Sequence, residues 1–188
     1  MENKLFDSLI SKALDLGASN ANIIEVKDIA LDRVFRDMCE SNACGVYGKC
    51  WMCPPHVGDI DTLMAEVGDY EYALVYQTIS ELEDSFDFEG MIEAKKKSYP
   101  LGQSLRAVFS DAGISHVLHL GAGGCGVCET CAKRVDEPCR FPEKAMASLE
   151  AYGVNVSKLA SASGMKYING QNTVTYFGAV LFSLDGEF

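Results

Sequence analysis

His116-Val-Leu-His-Leu-Gly-Ala-Gly-Gly-Cys125-Gly-Val-Cys128-Glu-Thr-Cys131 is the stretch from which the rest of the chain is best read. Its first half, His116 to Leu120, has the short apolar character of a buried strand. The strand runs straight into a glycine-rich loop with a thiol at every third residue. A C-x2-C-x2-C run is how a chain wraps three corners of an iron–sulfur cubane, and soft thiolates are the donors such a core needs. Gly123 and Gly124, beside Cys125, leave backbone N–H groups free to turn toward bound sulfides and tune their potential.

Outward from this loop, helical and strand patterns alternate. Leu5, Leu9, Ile10, Ala13 and Leu14 predict a helix over 3–16, stopped by Gly17. Ala21 to Val26 reads as a buried strand. Ile29, Val34, Phe35 and Met38 predict a short helix entering Cys39. Asp59 or Asp61 caps a helix ended by Gly68, and Tyr72 to Ile79 is a second strand. Met91–Tyr99 and Leu101–Ala112 read as helical, with Pro100 marking a kink or break between them. Pro142 is expected to open a helix over Lys144 to Tyr152, and Val156 to Ala162 another. Thr173 to Leu184 is the best strand in the chain. The pattern predicts one α/β or α+β domain over 1–188, with a mixed sheet of about four strands and helices layered on it. Irregular cysteine-rich loops are expected at 39–58 and 121–142.

Each loop carries four of the eight cysteines. In the second, Cys139 follows Cys131 with seven residues between and is the natural fourth ligand to Cys125, Cys128 and Cys131. Cys53, which stands directly before Pro54, could instead cross over from the first loop. The first set, Cys39, Cys44, Cys50 and Cys53, has uneven gaps but enough thiols for a second cluster or a zinc ion. Cys50 is the one most easily read as a small buried apolar residue, so Cys50→Ser is expected to be the mildest of the eight serine variants and Cys128→Ser to abolish one centre. Tyr47 and Trp51 are expected to shield the first loop from water.

Composition narrows the functions. A net charge of −11 gives no basic face for nucleic acid or an anionic membrane, although it would suit a basic redox partner. Met1 to Phe6 lacks the basic and apolar succession of a secretory signal, and no apolar run approaches the roughly 20 residues of a membrane span. A cytoplasmic location follows as the expectation, and reduced thiols there read as metal ligands before disulfides.

Other motifs carry less. Gly121-x-Gly123-x-x-Gly126 matches the dinucleotide fingerprint in letters, but three cysteines follow where a helix should begin. No C-x3-C-x2-C run is present. His56 reads as a solvent-facing or capping residue before a ligand, His116 and His119 as core residues, Lys95 to Lys97 as a solvated helix face, and Glu81 to Glu89 as a hydrated acidic loop. Arg140 is placed either to offset thiolate charge or to pair on the surface.

Taken together, Gly-Ala-Gly-Gly-Cys125-x2-Cys128-x2-Cys131, Glu-Pro-Cys139-Arg-Phe-Pro-Glu-Lys-Ala and Ser-Leu-Glu-Ala-Tyr-Gly153 resemble the metal-binding family called domain of unknown function 2284. Cys39, Cys44, Tyr47-Gly48 and Cys53-Pro-Pro are similar to its N-terminal signature, with Cys50 an addition. The resemblance implies metal or iron–sulfur binding in an anaerobic or archaeal-type redox setting, with no fixed reaction. The resulting expectation is a protein with one or two [4Fe–4S] clusters that passes electrons to a partner enzyme. The alternatives are a redox enzyme whose incompletely ligated cluster binds substrate, and a zinc-stabilised binding module without redox activity.

Overall fold

Tyr72–Glu81 (β2) and Thr173–Phe182 (β5) pair antiparallel along their full length and form the spine of the protein. Both alternate faces with the period of a strand. Ala73, Val75, Ala179 and Leu181 belong to one apolar cluster, while Leu74, Tyr76, Val180 and Phe182 belong to another on the opposite face. The computed structural model describes residues 2–184. Met1 and residues 185–188, parts of the expected 1–188 domain, lie outside the described residues.

Asn20–Glu25 (β1) flanks β2 antiparallel, and Val117–Gly121 (β3) flanks β5 antiparallel. Ala147–Ser148 (β4) adds a short parallel edge beside β3, completing the order β1-β2-β5-β3-β4. The domain is α+β, and its sheet has five strands where about four were expected. The additional one is only two residues long, below what a period-2 pattern can reveal. β1 is an edge strand with Ile24 its one buried residue, not the buried strand anticipated, because it has a single neighbour.

Glu2–Asp15 (α1) and Phe88–Asp111 (α4) cover one face of the sheet. α4 runs through Pro100 as one helix, so of the kink or break expected there the break does not occur. Pro100 and Lys96 are both exposed, so the Lys96 carbonyl that loses its donor can be hydrated. The opposite face is covered by Ile60–Val67 (α3), Val156–Ala162 (α5) and the segment 145–154. Asp59 caps α3 through the N–H groups of Asp61 and Thr62, as its position promised.

The helix expected over Lys144 to Tyr152 does not form. Residues 145–149 are all buried, which a surface helix would not allow. Their polar backbone is satisfied from outside instead: Gln103 donates to the Lys144 carbonyl at 3.0 Å and Arg106 to those of Glu143 and Ala145, while Leu149 N–H donates to Gly121 at 2.9 Å. Only a 3₁₀ turn, Glu150–Tyr152, remains helical, with Gly153 left-handed after it. The Leu149–Gly121 bond ties the end of β3, where the second cysteine loop begins, to this segment.

Candidate metal centre

The second loop leaves β3 at Gly121 and returns at β4, so the sheet holds both of its ends. The first loop follows Val34–Glu40 (α2), whose last turn carries Cys39. Arg36 of this helix is buried and clamps the loop's surroundings, donating to the carbonyls of Ala151 at 3.1 Å and Gly58 at 2.7 Å. The two loops meet face to face. Trp51 Nε1–H donates to the Glu137 carbonyl at 2.9 Å, and Lys133 Nζ lies 4.9 Å from the Trp51 ring centre.

All eight thiols are free; Cys50 and Cys53 are buried, Cys44 is exposed and the other five are half-buried. Their grouping in space differs from their grouping in sequence. Cys50 lines the same small cavity as Cys125, Cys128, Cys131 and Cys139. Cys39, Cys44 and Cys53 line a different, open cleft of about 630 Å³, together with Gly123 and Gly124. Four and four in sequence thus become three and five in space, with Cys50 reaching across from the first loop.

Cys50 is also the junction between the two groups. Its thiol lies close enough to those of Cys53 and Cys131, and to the backbone N–H groups of Met52 and Cys125, for each of them to lower it. The hydrogen bond from Cys53 is the main influence pulling the Cys50 thiol down to about 6, against the opposing effect of burial. Cys53 is driven up by the same bond and by burial. The interaction favours the anionic form of Cys50 over that of Cys53. Burial also pushes the Cys125 thiol up, opposed by hydrogen bonds from the Val127 and Met146 N–H groups. Burial raises Cys39 as well, with the Glu150 and Cys44 charges adding to it.

Among the described residues, no three His, Cys, Asp or Glu side chains stand in the close arrangement that would hold a single ion as they are. The five-thiol cavity measures about 20 Å³, room for roughly one water-sized sphere. Its donor set nonetheless fits a thiophilic metal, because five cysteines line one cavity beside apolar neighbours such as Val127, Phe141 and Ala145. Loading would draw the 50–53 and 125–131 segments into new positions, as usual where binding and local folding are linked.

Tyr99, from the middle of α4, is a positioning residue with no forewarning in the sequence. Its hydroxyl donates to the Gly124 carbonyl at 2.7 Å, and its ring fills the space beside Gly126. A Cβ on Gly126 would stand 2.0 Å from that ring. Gly126→Ala should therefore expel Tyr99 and cost about 1–3 kcal/mol in a denaturant titration, with lower metal content per chain. The double variant Gly126→Ala/Tyr99→Ala should cost less than the sum of its parts.

The decoys fall into place. After Gly126 comes the cysteine loop and then a 3₁₀ turn, Ala132–Val135, so no α-helix stands where a dinucleotide site needs one. His56 is exposed against the edge of Trp51, their ring centres 5.4 Å apart. Arg140 takes the surface role: it donates to the Thr130 carbonyl at 3.2 Å and lies 3.7 Å from Glu137. His116 is exposed just before β3 and stacks on Tyr70, contrary to its expected core placement, whereas His119 is buried. No helix among the described residues is long and apolar enough to cross a membrane.

A small α+β domain with eight free thiols in two adjoining groups has the donor set of a cysteine-rich metal protein. The chain belongs to the family described as predicted metal-binding protein (DUF2284), whose model matches residues 22–182. No curated protein and no solved structure matches it.

Proposed function

We propose that the protein is an iron–sulfur protein that transfers single electrons, and that Cys125, Cys128 and Cys131 are the first three ligands of its main centre. The reading is carried by one observation: thiols from loops about 75–90 residues apart in sequence line one cavity. Cys139 and Cys50 are the two candidates for the fourth ligand. When bound, such a centre supplies a one-electron couple. The protein's own residues exclude water with Trp51 and Phe141, fix the loop through Tyr99, and present backbone N–H groups to the sulfurs. Cys39, Cys44 and Cys53 would give a second centre only three protein ligands. The excess of acidic residues suits a basic protein as the electron partner.

The cavity of about 20 Å³ favours a second reading, a single zinc ion with a structural role, since one ion needs less opening of the loops than a cubane. Purification without oxygen, followed by iron, acid-labile sulfide and zinc analysis per chain, separates the two. Iron and sulfide in equal amounts with a brown chromophore are expected. Stoichiometric zinc in a colourless protein would establish the structural reading instead.

A further inference from the structure

The cleft walled by Cys39, Cys44 and Cys53 adjoins a second hollow of about 230 Å³, and Gly123, Glu150, Val156 and Tyr167 line both. At about 630 Å³ the larger cleft has the size of a small-molecule site, with Phe35, Met38 and Val156 among its apolar walls.

Two side chains of opposite charge, Lys95 and Glu150, line this space. Lys95, on α4, is half-buried, and a Cβ on Gly123 would stand 2.5 Å from its Nζ. Its neighbours Lys96 and Lys97 are exposed, so the face expected to be solvated turns one cation inward. Oε2 of half-buried Glu150 is buried and has no hydrogen-bond partner. The ion pairs among the described residues include neither Lys95 nor Glu150. Both line the smaller hollow, where a ligand carrying the two opposite charges could meet each of them.

We propose that the joined cavities bind a small zwitterion with an apolar body, of the α-amino acid class. Its carboxylate meets Lys95, its ammonium meets Glu150, and its side chain lies against Phe35, Met38 and Val156. Lys158, exposed at the rim of the larger cleft, adds a cation at the entrance. The molecule would lie beside the Cys39–Cys44–Cys53 wall. Binding itself does not depend on what the thiols hold.

The test is calorimetric titration of the full-length protein, purified without oxygen, with leucine, methionine, phenylalanine and tryptophan in turn. At least one should bind with a stoichiometry of one, while its decarboxylated amine and its deaminated acid should each bind at least about tenfold more weakly. Glu150→Gln and Lys95→Met should weaken it by a similar factor at unchanged melting temperature, and Lys96→Met should not. Failure of all four amino acids to bind would overturn the proposal. So would equal binding of the amine or the acid, or wild-type affinity in both cavity variants.

Discussion

Cys128→Ser is expected to remove the metal of the five-thiol group entirely. A hydroxyl is a hard, protonated donor that does not replace a thiolate on a thiophilic metal, and Cys128 lies in the middle of the 125–131 run. Metal affinity at that group should fall by more than the roughly 10–100-fold typical of losing an outer-sphere partner. Cys44→Ser, on the separate open cleft, should leave that metal in place. Cys50→Ser is the more telling comparison. The uneven spacing of the first loop pointed to Cys50 as the most dispensable thiol, but its sulfur reaches both Cys53 and Cys131. Its loss should perturb both groups, seen as changed absorption and paramagnetic resonance spectra of each, together with a metal content below wild type. Spectra unchanged in Cys50→Ser would mean that the thiol only fills space.

The stability of the fold should fall steeply in mild acid because of His119. The imidazole is buried on the α4 side of β3, with Nε2 2.8 Å from the Tyr76 hydroxyl and Nδ1 without a partner. Burial pulls it down from the ordinary 6.5 to about 3, and the charge of Arg106 adds to the effect. Between those values the unfolded chain binds a proton that the native state does not. Stability is therefore fully present above about pH 6.5 and is lost as pH falls toward 3. The loss amounts to roughly 3–5 kcal/mol over that range, a large share of the ~5–15 kcal/mol of an ordinary domain. His119→Gln should be less stable than wild type at pH 7.5. Its stability should change much less between pH 7 and pH 5.5, where carboxylates contribute little, as read from urea midpoints. Parallel pH curves for the two proteins would show that another group is responsible.

The elements visible in the sequence were those whose pattern is local. β2, β5 and α3 follow from alternating apolar residues, or from a cap at Asp59 and a stop at Gly68. The segment 144–152 misled because its alanines suit a helix, while its conformation is decided by Gln103 and Arg106 from α4. Pro100 did not end its helix, since an exposed proline can be carried where solvent takes up the orphaned carbonyl. All eight cysteines were legible as candidate ligands, but their partition was not. Spacing along the chain cannot show that Cys50 lines a cavity of the second loop, nor that Tyr99 meets Gly124 and Lys95 lies beside Gly123. Those contacts are long-range and leave no periodic trace.

X-ray absorption at the iron edge, on protein purified without oxygen, addresses sulfur ligation most directly. Iron surrounded by a sulfur shell with a short iron–iron distance is the expected result, with the iron of the five-thiol group lost in Cys128→Ser. Iron ligated only by oxygen and nitrogen, or protein free of any metal with all eight thiols open to titration, would contradict it.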